Sequence, residues 1–208
     1  MRTASGSGIF PEGQPPAERS IFQVMGQIRV ETCEIEGIKV LIPEVFGDER
    51  GYFMETYRKD QFTEAGISQE FVQDNQSSSV KGVLRGMHFQ INHPQAKLVR
   101  VIKGRVYDVA VDLRKGSETF GKWFGVELSS ENKKMLYIPR NFAHGFLVLS
   151  DTAEFVYKCD DFFHPGDDGG LRFNDPDIGI VWPDEIRPED MNINDRDRNW
   201  QDFRVQFS

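Results

Sequence analysis

The sequence predicts an all-β fold, a β-sandwich or jelly-roll barrel with a few short helices at its periphery. From Ile38 onward, short apolar or alternating runs follow one another, and glycine, proline and other turn residues separate them. Signals for helices are few. Many short strands at close spacing favour a sandwich or barrel over a parallel sheet with covering helices.

The individual runs have the length and residue types of strands. In the run from Val106 to Leu113 the odd-numbered positions are apolar, whereas Asp108, Ala110 and Asp112 are small or charged. One face of this strand is therefore expected to pack in a core, leaving the other available to line a site. In chain order the predicted strands include Ile38 to Phe46, Tyr52 to Tyr57, Leu98 to Ile102, Val106 to Leu113 and Phe142 to Leu149.

Two short helices are predicted. Asp60 is suited to cap a helical turn that runs through Ala65 and that Gly66 would stop. A second short helix is expected from Arg187 to Asp190. Neither is long enough to contribute a layer of the fold, so both are expected at its edge.

The chain is predicted to form one domain, because 208 residues suffice for a sizeable core and no internal repeat divides them. Residues 1–20 are rich in Gly, Pro and Ser and are predicted to be a flexible tail. The jelly-roll domain then occupies residues 21–208. Its polar end, from about 183 to 208, is expected to wrap the barrel as a carboxy-terminal arm.

Charge and cysteine content restrict the partners and the compartment. A net charge of −8 argues against a general nucleic-acid binder, although local arginines could hold a phosphorylated small molecule. No apolar run approaches membrane-spanning length, and no secretory signal is evident. Cys33 and Cys159 are too few and too far apart for a disulfide scaffold. These features favour a reduced cytoplasm and no membrane partner.

Two segments carry a histidine on a strand-like stretch with an arginine nearby, Gly82–Gln90 and Ile138–Phe146. Successive side chains of a strand alternate between its faces, so His88 shares a face with Gln90, and His144 shares one with Phe146. Two imidazoles can therefore face one barrel interior.

The histidine pattern is poor for a metal. A metal-binding barrel of the cupin type usually has a His-x-His pair followed by a carboxylate, but Gln90 occupies the second position and no acidic residue follows through Lys103. His93 and His164 sit beside prolines, where loops are expected. Zn, Fe and Mn prefer three or more protein ligands, so the sequence favours a site without a metal.

Without a metal, an inward imidazole among charged groups is suited to proton transfer, since its ordinary pKa lies near physiological pH. His88 is the candidate base. A lone histidine is more often a packed core residue with one hydrogen bond. The presence of Arg85, Lys97, His144 and Tyr157 on neighbouring strand-like segments makes that interpretation less favourable here.

A series of ordered motifs, from about Val40 to Asn199, closely resembles the dTDP-4-dehydrorhamnose 3,5-epimerase family. Such a series is far more specific than any single motif. The segments that carry the resemblance are Phe46–Glu55, Phe71–Asn75, Gly82–Gln90, Gln95–Arg100, Asp108–Arg114, Thr119–Gly121, Ala143–Ser150 and Asn174–Pro176.

The resemblance implies a cupin-type jelly-roll homodimer, free of metal and cofactor, that inverts stereocentres beside the C4 ketone of a dTDP-linked 6-deoxysugar. It implies that His88 is the base, Tyr157 the acid and Lys97 the cation beside the enolate oxygen. From the residues alone, Tyr157 could equally be a core aromatic and Lys97 a solvated strand residue. The substrate contacts implied are Arg50, Glu55, Gln73, Asn75, Arg85, His144, Asp168 and Arg196, with Asp167 as an alternative to Asp168.

The family also has an acid near its carboxy terminus that orients the catalytic histidine. The segment Asn194–Asp197 matches it loosely, which would make Asp197 the partner of His88, but Asp190 is a rival. Phe162 and Phe163 replace a family tyrosine pair, so the hydroxyl donors are lost and the aromatic surface is kept.

Three other functions remain to be weighed against a double epimerase. A sister enzyme that inverts C3 alone would need the same base and acid. A non-catalytic cupin that binds a sugar nucleotide would not need His88, Lys97 and Tyr157 together. A metal-dependent oxygenase is disfavoured by the missing ligands.

Overall fold

The structure is a computed structural model and describes residues 27–207; the predicted flexible tail lies outside the described residues. The described part is dominated by strands, which confirms the all-β prediction. The strands are β1 (Ile28–Thr32), β2 (Lys39–Pro43), β3 (Phe46–Asp48), β4 (Gly51–Phe53), β5 (Gln73–Val80), β6 (Leu84–Gln90), β7 (Lys97–Lys103), β8 (Arg105–Asp112), β9 (Trp123–Ser129), β10 (Met135–Ile138), β11 (Phe142–Val148), β12 (Thr152–Cys159) and β13 (Asp168–Gly170). The helices are α1 (Lys59–Glu64), α2 (Asp195–Arg198), α3 (Phe203–Phe207) and a 3₁₀ helix, Pro188–Asp190.

Two antiparallel sheets form the jelly roll, and a separate hairpin joins β3 to β4. The first sheet has the order β1-β2-β10-β7-β12-β5, and the second has the order β13-β6-β11-β8-β9. Their inner faces share one hydrophobic core, to which the first sheet contributes Val99 and Phe155 and the second contributes Ala110 and Phe146. This layered arrangement buries alternate residues of each strand.

The outer faces of both sheets are covered by chain segments outside the barrel. Phe62 of α1 and the nearby Ile67 pack with Leu98 on the outside of the first sheet. Met191 and Ile193, from the end of the chain, cover Leu84 and Leu147 of the second sheet, and α3 covers another part of that sheet.

The alternation predicted in β8 is present, and its two faces have different neighbours. Val109 and Val111 point outward into the cluster beneath α3, whereas Ala110 points into the shared core. Asp108 is fully buried on the same inward face as Ala110. The apolar face of this strand is therefore the outer one, covered by the end of the chain.

Two of the predicted strands were too long. The run from Ile38 to Phe46 is interrupted after Pro43, which has no N–H to continue the ladder, and Phe46 begins the separate hairpin. The run from Tyr52 to Tyr57 ends as a strand at Phe53. The ring of Tyr57 instead packs against Phe62 and Phe71, with ring centroids 4.8 and 5.6 Å away.

The prediction that Asp60 caps the first helix was wrong. Arg58 occupies the cap position without a side-chain cap, and Asp60 lies in the first turn, where its carboxylate accepts a 2.8 Å hydrogen bond from Nε of Arg58. The predicted end is confirmed, because Gly66 follows Ala65 with φ of 77°. The second predicted helix is confirmed as the 3₁₀ helix.

Candidate active site

His88 faces a small cavity at one end of the barrel. The cavity has a volume of about 210 Å³, and the His88 side chain is 30% exposed. Strands β6, β7 and β12 bring residues that are distant in sequence to the same walls. The lining includes His88, Lys97, Tyr157, Phe163, Asp168 and Arg196.

His88 is paired with the carboxylate of Asp197. Its Nε2 lies 2.7 Å from Oδ1 of Asp197, whose side chain is only 1% exposed, and Oδ2 of Asp197 accepts a hydrogen bond from the N–H of Gly86. Burial alone would raise the pKa of Asp197, but the bond from His88, the Gly86 N–H and the charge of Arg196 hold this pKa below its usual value. The carboxylate therefore stays ionised beside the imidazole and can fix its tautomer.

The short helix α2 presents this carboxylate. Asn194 caps α2 by accepting a 2.7 Å hydrogen bond from the N–H of Asp197, which fixes the backbone at that residue. The rival acid, Asp190, lies in the 3₁₀ helix, where its carboxylate accepts a 2.8 Å hydrogen bond from Nε of Arg187. Of these two carboxylates, only that of Asp197 is bonded to His88.

His144 forms a second, deeper pair with Asp108. The register of β11 and β6 places His144 directly opposite His88, so the two predicted imidazoles lie on one face of the sheet. Nε2 of His144 is 2.9 and 3.0 Å from the two carboxylate oxygens of Asp108. Burial raises the pKa of Asp108, although His144 and Lys97 oppose the rise.

Lys97 and Tyr157 contact the cavity from adjacent strands, with the ammonium of Lys97 5.9 Å from the centre of the Tyr157 ring. Burial lowers the pKa of Lys97, while electrostatic interactions with Cys159, Asp108 and Asp168 counteract part of this effect. Burial also raises the pKa of Tyr157, with a further rise from Cys159 and an opposing effect of Arg85. The phenol is therefore protonated at neutral pH, as a proton donor must be.

Tyr157 also lines a wider groove, which passes over the outside of the first sheet. The groove has a volume of about 560 Å³ and is lined by Asn75 as well as by Arg100 and Lys158. Asn75 accepts a 3.1 Å hydrogen bond from the side-chain amide of Gln73. Tyr157 belongs to the lining of both the groove and the cavity, which lie on opposite faces of the first sheet.

Gln73 links β5 to the segment that carries the two phenylalanines. The backbone N–H of Phe163 donates to the side-chain oxygen of Gln73 at 2.9 Å. Phe162 and Phe163 are 60% and 50% exposed, and Phe163 lines the cavity. Arg85 lies at the surface, with its Nε bonded to the hydroxyl of Ser79 at 3.1 Å.

Asp167 and Asp168 lie in different surroundings. Asp168 lines the cavity, 3.5 Å from the guanidinium of Arg196. Asp167 points away and accepts hydrogen bonds from the backbone N–H groups of Asn92 and His93. Burial acts to raise its pKa, yet these bonds lower it to about 2, as expected for a carboxylate that anchors a loop.

Arg50 and Glu55 are not among the residues that line the cavity of the same chain. Arg50 is 83% exposed at the tip of the β3–β4 hairpin, where its guanidinium pairs with Asp48. Glu55 follows the hairpin, 3.4 Å from the guanidinium of Arg58. The other predicted site residues lie at the cavity or groove, or next to residues that do.

Two residues at the site had no predicted role. Asp108 could have been assigned one, because the alternation in β8 places its carboxylate on the inward face. Trp200 lies against the ring of His88, with the ring centroids 6.4 Å apart, and no sequence pattern indicates this contact. Within residues 27–207, no group of three or more His, Cys, Asp or Glu side chains is arranged to hold a metal ion.

Comparison with known proteins gives a consistent result. The family model for dTDP-4-dehydrorhamnose 3,5-epimerase matches residues 32–204. A protein of Methanothermobacter thermautotrophicus named dTDP-4-dehydrorhamnose 3,5-epimerase is 53% identical over 180 residues, covering 86% of this chain and 97% of the relative.

Two solved structures with similar folds are also described as 3,5-epimerases. A dTDP-4-dehydrorhamnose 3,5-epimerase from Elizabethkingia anophelis has a TM-score of 0.82 at 48% identity, covering 88% of this chain and all of the other. A Legionella pneumophila 3,5-epimerase in complex with dTDP-4-keto-L-rhamnose has a TM-score of 0.82 at 44% identity, covering 86% of this chain and 94% of the other.

Proposed function

Because the chain belongs to the dTDP-4-dehydrorhamnose 3,5-epimerase family, we propose that it converts dTDP-4-dehydro-6-deoxy-D-glucose into dTDP-4-dehydro-L-rhamnose. The reaction is an isomerisation that inverts C3 and C5 of the sugar, a step towards dTDP-L-rhamnose. The observation that carries the proposal is the His88–Asp197 pair, which faces the same cavity as Lys97 and Tyr157.

The chemistry follows from the C4 ketone, which acidifies the protons on both of its neighbouring carbons. In our proposal His88 removes one of these protons, and the electron pair of the C–H bond moves into an enolate. Lys97 stabilises the charge on the enolate oxygen in a site with little water. Tyr157 then donates its proton to the same carbon from the opposite face, which inverts the centre, and solvent restores both groups. No cofactor takes part.

The cavity at His88 has a volume of about 210 Å³, and we propose that it holds the sugar ring of the substrate. We assign His144, Asp168 and Arg196 to the sugar and its phosphates. Gln73, Asn75 and Arg85 would hold the nucleotide side, with Phe163 as an aromatic surface for stacking.

Arg50 and Glu55 enter the proposal through a second copy of the chain. The hairpin that carries Arg50 also exposes Tyr52 and Phe53, by 58% and 64%, which is unusual for aromatic side chains of an isolated domain. We therefore propose a homodimer in which each hairpin reaches the substrate site of its partner. Arg50 would then contribute a fork of donors for the diphosphate.

The cytoplasm is the proposed location. Cys33 and Cys159 are both free thiols, which fits a reducing compartment. Among the described residues, no helix has the length and apolar character needed to cross a membrane.

The decisive experiment is proton NMR of dTDP-4-dehydro-6-deoxy-D-glucose in D₂O with the wild-type protein and with His88→Ala. Deuterium should enter C3 and C5 as product forms, and the variant should lose both. Inversion confined to C3 would identify a 3-epimerase instead. Binding of the nucleotide sugar without any exchange would identify a non-catalytic binding protein. As a control, His93→Ala should remain active, because His93 contacts Asp167 outside the cavity.

A further inference from the structure

Trp200 follows α2 and packs on the site from the side of the chain terminus. Its ring meets the ring of His88 edge to face, with an interplanar angle of 75°. The guanidinium of Arg196 lies 5.8 Å from the indole, within the range of a cation–π contact. Arg196 itself reaches both Asp168 and Asp197, each at 3.5 Å.

The indole also rests directly on Gly170. A Cβ atom added to Gly170 would come within 2.2 Å of Cε2 of Trp200 and 2.3 Å of Nε1, so only glycine leaves room for the ring. Gly170 is the last residue of β13 and pairs with His88 across the two strands. The indole therefore joins the end of the chain to the strand next to the catalytic histidine.

The indole N–H of Trp200 is buried, and within residues 27–207 it has no hydrogen-bond partner. Most buried Trp residues place this group against an acceptor, so packing and not a hydrogen bond fixes the ring here. The helix that carries Asp197 has only four residues, too few to be stable without tertiary contacts. The position of the Asp197 carboxylate must therefore depend on the contacts that hold α2 against the barrel.

We propose that Trp200 is a positioning residue, which clamps the segment of α2 onto Gly170 so that Asp197 stays within hydrogen-bond distance of His88. Its consequence for catalysis rests on the proposed function, whereas the clamp itself does not. Loss of the indole frees α2, lengthens the contact between Asp197 and His88, and releases the N–H of Gly86 from the same carboxylate.

Three variants test the contact from both sides. Trp200→Ala removes the ring, Trp200→Phe keeps an aromatic ring and removes the unpaired N–H, and Gly170→Ala displaces the ring while leaving Trp200 in place. Gly170 does not adopt the left-handed backbone region, and the three atoms nearest to an added Cβ all belong to the indole. We expect kcat to fall about tenfold or more in Trp200→Ala and Gly170→Ala, with a smaller change in KM, and Trp200→Phe to retain most activity.

A double-mutant cycle separates positioning from general stability. Because Trp200 acts through Asp197, the double variant Trp200→Ala/Asp197→Asn should have the same kcat as Asp197→Asn alone. Likewise, the double variant Gly170→Ala/Trp200→Ala should have the same kcat as Trp200→Ala alone. Independent losses that multiply, or a Trp200→Ala variant with normal kcat, would overturn the proposal. The proposal would also be overturned if the loss of kcat were explained entirely by a lowered melting temperature of the variants.

Hydrogen exchange tests the clamp without any substrate. The amide of Gly86 should exchange about tenfold or more faster in Trp200→Ala and Gly170→Ala than in the wild type or Trp200→Phe. This result would support the clamp even if the wild type proved inactive on the sugar nucleotide. Unchanged exchange in a wild type that is active would refute the clamp and leave the proposed function intact.

Discussion

His88 and His144 lie opposite each other on neighbouring strands and both have a carboxylate partner, yet their surroundings suit different tasks. His88 is partly exposed to the cavity, so its imidazole can exchange protons with a ligand and then with water. His144 is buried with both oxygens of Asp108 around its Nε2. Such a pair can orient a neighbouring group but has little access to solvent. We therefore assign proton abstraction to His88.

Tyr157→Phe should separate the two halves of the reaction. The variant lacks the proton donor but keeps the base, so deuterium should still enter the substrate while net inversion falls by about 10²-fold or more. Proton NMR in D₂O measures both rates in one sample. Tyr137→Phe, which removes a hydroxyl from the cluster on the outside of the first sheet, is the matched control. An equal loss of exchange and inversion in Tyr157→Phe would contradict the acid role.

Lys97→Met should remove the positive charge while nearly preserving the volume of the side chain. We expect kcat to fall by about 10²-fold or more, because the enolate oxygen loses its stabilising cation. The free energy of unfolding should stay the same or rise, since the variant no longer buries an ammonium group. Steady-state kinetics and urea denaturation measure the two effects. As a control, Lys103→Met at the exposed end of the same strand should change neither kcat nor the free energy of unfolding. A loss of activity in Lys103→Met would contradict the role assigned to Lys97.

Several elements followed from sequence patterns, and the exceptions have local causes. Alternation in β8 determined which side chains share a face, because that pattern depends only on neighbouring residues, but it did not determine that the apolar face is the outer one. It could not determine which strands are adjacent, and so could not place Tyr157 beside Lys97. The choice between Asp197 and Asp190 depended on the path of the final segment, which the Asn194 cap and packing against β6 determine. Sequence spacing alone contains neither contact.

The turn after β8 depends on one buried carboxylate. Asp112 accepts hydrogen bonds from the backbone and guanidinium of Arg114 and from the hydroxyls of Ser117 and Thr119. Burial opposes ionisation, but these bonds lower the pKa of Asp112 to about 2 from an ordinary 3.8. A lowered pKa stabilises the folded state above the ordinary value, and this stabilisation is lost as the pH falls through the folded value.

Asp112→Asn should therefore lower the free energy of unfolding by about 2 kcal/mol at neutral pH and make its decline between pH 4 and pH 2 shallower. Urea denaturation at a series of pH values gives both quantities. Asp151→Asn, at an exposed position, should leave the wild-type profile unchanged. A profile of Asp112→Asn parallel to that of the wild type would show that another carboxylate causes the acid sensitivity.

At the scale of the whole molecule, the cavity of one chain brings together the proposed catalytic groups but not the complete set of predicted substrate contacts. Arg50 and Glu55 follow the family motif in sequence, whereas the hairpin places them outside the His88 cavity. Motif matching could not reveal this separation, because it reports residue identity and order along the chain. A symmetric pair of chains would reconcile the two observations, since each hairpin could complete the other site.

Mixed dimers test this arrangement directly. Arg50→Ala and His88→Ala should each have low activity alone, and co-expression should restore about a quarter of the wild-type rate. Random pairing makes half of the dimers mixed, and each mixed dimer holds one site with both residues intact. His88→Ala with Lys97→Met is the control, because both residues line the same cavity and no pairing restores a complete site. Two results would mean that each chain binds its substrate alone. One is a monomeric mass in solution, and the other is that co-expression of Arg50→Ala and His88→Ala restores no activity.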